Sequence, residues 1–245
     1  MGLKGLSNAL DLMRYFTAQQ PAWGVRELAK ASGVHHAVVH RILATFADAG
    51  YLMQDELGRY ALGLRWLEMG EIVRQSVSRT EHVAPVLRRL MEQSGETVFL
   101  SMLDDGEGVC LDIAHSEHQL RFSIEQGQRF ALHLGAHGKA MLAFLPDAER
   151  AEICARAAAS PADAVALEEG LASIRRHGWS QTYGEAAPGV AGVAVPLWRA
   201  NRTRVAGSLA VCGPRQRLDE ASLHHVLEML ALAQRDIEGM VGLLG

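Results

Sequence analysis

The stretch from Gly24 to Gly63 constrains the fold of this chain more than any other part of the sequence. Two short segments there have apolar residues at helical spacing: Val25, Leu28 and Ala29 in the first, and Val39, Ile42, Leu43 and Phe46 in the second. Gly33 and Gly50 end these segments, at positions where a left-handed glycine closes a helix at little steric cost. Two apolar runs around a polar turn then predict a β-hairpin over residues 51–62. Helix, turn, helix and hairpin in this order predict a winged helix-turn-helix.

Such a unit places its second helix in the DNA major groove. The face of that helix opposite the apolar stripe is polar, and the hairpin also has polar residues. The residues that we expect to contact DNA are Arg26, His35, His36, His40, Arg41, Arg59 and Tyr60. The alternative is a helical hairpin followed by a β-hairpin with no role at DNA.

A further helix is predicted before this unit, with Ser7 as its N-cap. We expect Leu10, Met13 and Phe16 to form its buried side.

The charge of the whole chain does not favour DNA binding, since the 245 residues have a net charge of −4. Residues 1–80 contain nine Lys/Arg against seven Asp/Glu, a net charge of +2, which leaves −6 for residues 81–245. A local basic surface matters more for phosphate contact than the total charge. We therefore expect modest affinity per subunit, strengthened when two subunits bind a palindromic site.

No run of about 18 uncharged apolar residues is present, so no membrane span is expected. The N-terminal segment has no signal-peptide pattern, which favours a cytoplasmic location. Cys110, Cys154 and Cys212 are far apart in sequence and lack the spacing of a metal site, so they are expected to be packing residues.

The remainder of the chain predicts a connecting helix over 64–79 and a second domain over 80–245, after a DNA-binding domain over 1–63. Predicted helices of the second domain are Glu81–Gln93, Gly138–Leu145, Ala164–His177 and a long one from Asp219. Predicted strands are Thr97–Leu103, Val109–His115, Leu120–Ile124, Val190–Leu197 and Val205–Cys212, with a loop over 127–137. Strands in hairpin pairs with helices grouped between them indicate an α+β fold with an antiparallel sheet.

Short motifs along nearly the whole chain resemble those of one family. In the first domain they are Ala9 and Leu10, Glu27 to Ala29 with Gly33, Arg41 to Thr45, and Gly58 to Gly63. In the second domain they are Gly127 to Ala143, Ile174 to Trp179, Gly184 to Val190, and Val211 to Pro214. Together and in this order, they resemble the IclR family of bacterial transcriptional regulators.

The resemblance implies an N-terminal winged helix-turn-helix that dimerises and binds double-stranded operator DNA. It implies a C-terminal GAF/PAS-like domain that binds a small-molecule effector, commonly a carboxylate or an aromatic acid. It also implies a homodimer or a dimer of dimers that acts as a repressor, an activator or both. Neither an enzymatic activity nor a cofactor is expected.

This chain departs from the family pattern at the start of the recognition helix. The family has Pro-Lys-Ser-Thr there, whereas this chain has His35, His36, Ala37 and Val38. Hydroxyl groups and a lysine that would contact phosphate are therefore missing. The family's arginine in the first helix is Asn8 here. We expect an unusual operator, and tighter binding as the histidines become protonated.

Family positions carried over to this chain, together with one nearby histidine, give the expected effector site: Phe122, His133, Ala136, His137, Thr182, Val190, Gly192, Ala210 and Cys212. Ala136, Thr182 and Ala210 stand where the family has serines or carboxylates. The resulting wall is largely apolar, with few polar groups, which suits an aromatic or aliphatic carboxylic acid better than a small dicarboxylate or keto acid.

Other functions that single motifs suggest have less support from the sequence. A phosphate-binding loop around Lys139 is rejected, because His133 and Ala140 replace the glycine and the hydroxyl that it needs. A metal site at His36 and His40, or among the histidines of the second domain, stays a minor alternative to ordinary hydrogen-bonded histidines. A nucleophilic cysteine is disfavoured by the apolar surroundings. The remaining functional alternative is a metabolite-sensing interaction module without sequence-specific DNA binding.

Overall fold

The computed structural model of the chain describes residues 3–77, 80–199 and 203–241. They form two compact units, Met1–Arg74 and Gln75–Gly245.

The first unit has the predicted helix-turn-helix and hairpin. Its elements in chain order are α1 (Lys4–Met13), β1 (Ala22–Trp23), α2 (Val25–Ser32), α3 (His36–Asp48), β2 (Leu52–Gln54) and β3 (Tyr60–Leu62). The strands are antiparallel in the spatial order β1-β3-β2, so a short strand that the sequence pattern does not predict extends the wing. Gly33 between α2 and α3 is left-handed, with φ of 71°, as expected.

Helix α1 starts earlier than predicted and buries Leu12 instead of Leu10, whereas Met13 and Phe16 pack in the core as predicted. It begins at Lys4 and Ser7 lies inside it, so the prediction of Ser7 as N-cap is wrong. Leu12 is 1% exposed, whereas Leu10, predicted to be buried, is 54% exposed. Two residues along a helix rotate the side chain by about 200°, so burying Leu12 turns Leu10 to the surface.

The core of the first unit joins both helices of the motif to the wing. Its buried residues are Leu12, Phe16, Leu28, Val39, Leu43, Leu52 and Tyr60. Since Val39 and Leu43 anchor one face of α3, the opposite face is left at the surface.

Helix α4 (Arg65–Val77) spans the division between the two units. The second unit then contains, in chain order, α5 (Thr80–Ser94), β4 (Thr97–Asp104), β5 (Glu107–Ala114), β6 (Arg129–Ala131), α6 (Gly135–Leu142), α7 (Asp147–Ala157), α8 (Pro161–His177), β7 (Ser180–Tyr183), β8 (Val190–Trp198), β9 (Val205–Pro214) and α9 (Glu220–Val241). The strands form one antiparallel sheet in the order β6-β5-β4-β9-β8-β7, which confirms the predicted α+β class.

The two faces of this sheet have different partners. One face carries the main core with α5 and α9, and its central residues include Val98, Val193, Leu209 and Val211. The other face is covered by α6, whose Ala136 and Ala140 belong to a smaller cluster with Phe99 and Ala210. Alternation along each strand assigns neighbouring residues to opposite faces, so the second cluster is separate from the main core.

Several predicted elements need correction. The run from Leu120 to Ile124 is irregular, and the strand next to β5 is Arg129–Ala131, within the stretch predicted to be a loop. Helices α6 and α8 begin three residues earlier than predicted, and α7 and β7 were not predicted at all. Residues 78 and 79, at the end of the predicted connecting helix, lie outside the described residues, as do residues 200–202 between the last two predicted strands.

Candidate functional site

The polar face of α3 lies at the surface of the first unit. His35, His36, His40 and Arg41 are all exposed, whereas Val39 between them is fully buried. This arrangement is the one predicted, and it leaves the polar side chains available to a partner. Arg26 on α2 is exposed as well.

His35 is the N-cap of α3. Its Nδ1 accepts a hydrogen bond from the backbone N–H of Ala37 at 3.4 Å. The ring of His36 lies 4.5 Å from that of His35, centroid to centroid. His35 therefore has a structural role, since an acceptor at this position satisfies one of the unpaired N–H groups at the start of a helix.

Two of the expected DNA-contacting residues in the wing make contacts within the domain. Tyr60 is 3% exposed and packs in the core, so the expectation that its side chain contacts DNA is wrong: alternation along β3 turns the ring inward. Arg59 is half-buried; its Nη2 donates to the carbonyl oxygen of Ala22 at 2.6 Å and lies 3.6 Å from a carboxylate oxygen of Glu27. Arg59 thus connects the wing to the start of α2.

In the second unit, aromatic rings surround the side chain of His137, which lies on α6 and faces the sheet. The His137 ring lies 4.3 Å from that of Phe130 and 5.1 Å from that of Phe99, and Phe99 stacks on Phe122 at 5.8 Å. His137 is 4% exposed and its Nδ1 has no hydrogen-bond partner in the protein. Burial lowers the pKa of His137 from 6.5 to about 4, so the imidazole is neutral at pH 7.

Most of the expected effector residues converge on this cluster. Ala136, Ala210 and Cys212 belong to it, and Thr182 is paired with Gly192 on the adjoining strands. A Cβ on Gly192 would lie 3.0 Å from the Cys212 sulfur and 3.3 Å from the Cβ of Ala136, so a larger residue would be tightly packed here, where α6 approaches the sheet. Val190, on the same sheet face as Gly192, is half-buried at the start of β8.

His133 does not belong to this group. It lines a separate depression of about 300 Å³ together with Asp105, Glu107 and Arg156. His133 lies in the segment between β6 and α6, before the chain turns into the helix that carries His137. The structure thus places His133 and His137 in different surroundings, and the expectation that both bind the effector stays a prediction.

The start of α6 is occupied by a carboxylate from the connection between β7 and β8. One oxygen of Glu185 accepts a hydrogen bond from the backbone N–H of Gly135 at 3.3 Å, and the other accepts one from Lys139 Nζ at 2.6 Å. Lys139 is thus paired with Glu185. Glu185 lies in the segment from Gly184 to Val190 that matches the family motif. Its contact with α6 could not be predicted, because Gly135 and Lys139 are distant from it in sequence.

Side-chain hydrogen bonds hold the irregular segment 116–124 against the same cluster. The Thr97 hydroxyl donates to the carbonyl oxygen of Phe122 at 2.8 Å. Arg217 donates to the carbonyl oxygen of Leu120 at 2.8 Å while it forms a two-pronged ion pair with Glu96. This segment therefore covers the aromatic cluster without being part of the sheet.

The cysteines are packing residues, as expected. All three are free and buried. Burial, and secondarily the charge of Asp112, raises the pKa of Cys110 to about 12; burial, and secondarily the charge of Glu96, does the same for Cys212. Thiols with a raised pKa are poor nucleophiles. Within the described ranges, no group of three or more His, Cys, Asp or Glu side chains could hold a metal ion.

Comparisons with known proteins agree with this architecture. Residues 5–56 match the model of the IclR helix-turn-helix domain, and residues 73–238 match the C-terminal domain of the bacterial transcriptional regulator IclR. The transcriptional repressor IclR of Escherichia coli K12 is 29% identical over 244 residues, covering 96% of this chain and 89% of that protein.

Solved structures show the same fold. A crystal structure of an IclR-type regulator from Silicibacter sp. TM1040 has a TM-score of 0.87 and 28% identity, covering 97% of this chain and 96% of that one. An IclR homologue from Microbacterium hydrocarbonoxydans, crystallised with 4-hydroxybenzoate, has a TM-score of 0.79 at 20% identity, covering 97% of this chain and 99% of that one.

A winged helix-turn-helix followed by a ligand-binding domain with a curled antiparallel sheet defines a class of DNA-binding transcriptional regulators, not of enzymes. The chain belongs to the IclR family of this class. Among the described helices, none combines the length and the apolar character that crossing a membrane requires.

Proposed function

We propose that a small aromatic or aliphatic carboxylic acid, held beside α6, controls the binding of this regulator to its operator. The observation that carries this proposal is the group of aromatic rings around His137, a neutral imidazole that lies between Phe99 and Phe130 and whose Nδ1 has no partner. An apolar wall with few polar groups favours a ligand that has an apolar body and one polar end. The complex of the Microbacterium protein with 4-hydroxybenzoate is an example of such a ligand on this fold.

On the DNA side, we propose direct contacts from the exposed face of α3. Arg41 is the strongest donor on that face, with His36 and His40 beside it. Arg26 is proposed as a phosphate contact, since a guanidinium on the helix before the recognition helix can reach the backbone. His35 and Arg59 contribute mainly by fixing the start of α3 and the position of the wing.

A homodimer or a dimer of dimers is proposed as the active assembly. Helices α1 and α4, together with the residue before each of them, expose large apolar side chains to solvent: Leu3, Leu6, Leu10, Leu64 and Leu67. A groove of about 520 Å³ also opens between α1 and α3, lined by Leu6, Ala9, Ile42 and Phe46. Apolar surfaces of this kind mark contacts between proteins. A dimer would present two copies of α3 to half-sites about 34–36 Å apart, one helical turn of DNA.

The control is a shift of population between two arrangements of the subunits. The effector changes the occupancy of these arrangements only as far as it binds one of them more tightly than the other.

The experiment is a titration of the upstream DNA of the gene with the protein, at several salt concentrations, with and without benzoate. Retardation that weakens strongly with salt and changes with benzoate supports the proposal. A strong thermal shift with glyoxylate or pyruvate, and none with aromatic acids, contradicts the proposed effector class. Absence of retardation at low salt on every neighbouring promoter fragment favours an interaction module instead.

A further inference from the structure

The carboxylate of Glu185 occupies the start of α6 in the way that a bound anion would. Its two oxygens are divided between the N–H of Gly135 and the ammonium group of Lys139. The N-terminus of a helix carries a partial positive charge and unpaired N–H groups, so a carboxylate is stabilised there. Glu185 thus supplies, from the protein itself, the negative charge that the start of α6 and the ammonium group of Lys139 both favour.

A second observation shows that this place is built for more than an ion pair. His137, two residues into α6, is 4% exposed and its Nδ1 has no partner. That nitrogen lies 3.2 Å from the point where a Cβ on Gly135 would stand. A buried polar atom without a partner costs free energy unless a hydrogen bond is supplied. The unpartnered imidazole nitrogen therefore lies beside Gly135, the residue whose N–H binds the Glu185 carboxylate.

The segment that carries Glu185 is anchored at its ends. Gly184 and Gly189 are both left-handed, with φ of 70° and 77°. At the base, the N–H of Gly184 donates to the carbonyl oxygen of Val190 at 2.7 Å, and the N–H of Arg215 donates to that of Gly189 at 2.9 Å. Between these anchors the residues are mostly exposed, and Ala186 packs over Gly135. Glu185 can leave α6 without breaking the strand pairing of β7 and β8.

We propose that Glu185 is a specificity-determining residue, a built-in carboxylate that an effector carboxylate must displace from Gly135 and Lys139. This inference rests on the proposed effector site and names the chemistry that it selects. Two carboxylates cannot share one ammonium group without repulsion, so a charged effector replaces Glu185 whereas a neutral analogue does not. The observed affinity for a carboxylate is then lowered by the fraction of molecules in which Glu185 occupies the place.

The test compares benzoate with benzamide, its neutral analogue, by calorimetric titration of the full chain. The variant Glu185→Gln keeps the shape of the side chain and removes its charge, and Glu185→Ala removes the acceptor altogether. Glu152→Gln, an exposed glutamate on α7, is the matched control. Both Glu185 variants are expected to bind benzoate about tenfold more tightly, the scale of one charge-assisted hydrogen bond, with benzamide unchanged. Lys139→Met is expected to weaken the binding of benzoate but not that of benzamide.

Three outcomes separate this inference from the proposed effector class. The first outcome is that benzoate binds but the Glu185 variants leave its affinity unchanged, or weaken the binding of benzoate and benzamide equally. Glu185 then has only a structural role, and this inference fails while the proposed effector class stands. If glyoxylate or pyruvate binds in place of benzoate and the Glu185 variants tighten it, the aromatic class fails and the inference stands. If no carboxylate binds the wild type or any Glu185 variant at millimolar concentration, both fail.

Discussion

Arg217 and Glu96, which are 121 residues apart, form a two-pronged ion pair in which the Glu96 side chain is only 2% exposed. The same guanidinium donates to the carbonyl oxygen of Leu120, so the pair also holds the segment that covers the aromatic cluster. Replacing Arg217 by Met leaves a buried carboxylate without a partner. We expect this change to cost about 3 kcal/mol of unfolding free energy, measured by urea denaturation.

The control is the double variant Glu96→Gln with Arg217→Met, which removes both charges and is expected to recover part of the loss. A cost below about 1 kcal/mol for Arg217→Met would show that water solvates Glu96, as at exposed pairs.

His137 gives the second unit a defined dependence on pH. Because burial lowers its pKa from 6.5 to about 4, the unfolded chain binds a proton between these values and the folded chain does not. As far as His137 is concerned, the free energy of unfolding therefore stays at its full value above pH 6.5 and decreases as the pH falls toward 4. Replacing His137 by Phe is expected to reduce the stability lost between pH 7 and pH 4 by about 3 kcal/mol.

Thermal unfolding at a series of pH values measures this difference, with His115→Phe as the control, since His115 is exposed. An unchanged pH profile in the His137 variant would mean that the imidazole takes up its proton at the same pH in the folded and the unfolded chain.

The N-cap of α3 provides a way to separate stability from DNA contact. His35→Ala removes the acceptor of the Ala37 N–H and is expected to lower the free energy of unfolding by about 1 kcal/mol. His35→Asn retains an acceptor and is expected to keep the wild-type stability. Chemical denaturation and operator titration are measured on both variants. If His35→Asn is stable and yet binds DNA as poorly as His35→Ala, the imidazole itself contacts DNA.

Tyr60 tests the correction to the wing. Because its ring is buried, Tyr60→Phe is expected to leave operator affinity unchanged, while Tyr60→Ala is expected to cost about 3 kcal/mol of stability. A loss of operator affinity in a stable Tyr60→Phe variant would place the hydroxyl at the DNA.

The sequence predicts those helices and strands that depend on residues close to one another in the chain. Helices α2 and α3 follow from apolar spacing and from Gly33, and both strands of the hairpin follow from two apolar runs around a polar turn. The two-residue strand β1 escaped prediction because only its pairing with β3 defines it. The run around Phe122 has the apolar character of a strand, but the Thr97 hydroxyl and Arg217 bind its carbonyl groups in place of a sheet partner.

The site was predictable where it depends on motif positions and unpredictable where it depends on distant pairs. Ala136, His137 and Cys212 were predicted together and lie together. Phe99, Phe130 and Glu185 were missed, because nothing local marks an aromatic residue on a strand or a glutamate in a loop as a neighbour of α6.

The central claim is that the exposed face of α3 binds DNA and that an acid in the second unit controls this binding. Fluorescence anisotropy of labelled upstream DNA, titrated with wild type and with Arg41→Ala, each with and without benzoate, tests it most directly. We expect Arg41→Ala to weaken DNA binding at least about tenfold and to reduce the salt slope by about 1, with benzoate affinity unchanged by calorimetry. Equal DNA binding by both proteins, or loss of benzoate binding in the variant, would contradict the account.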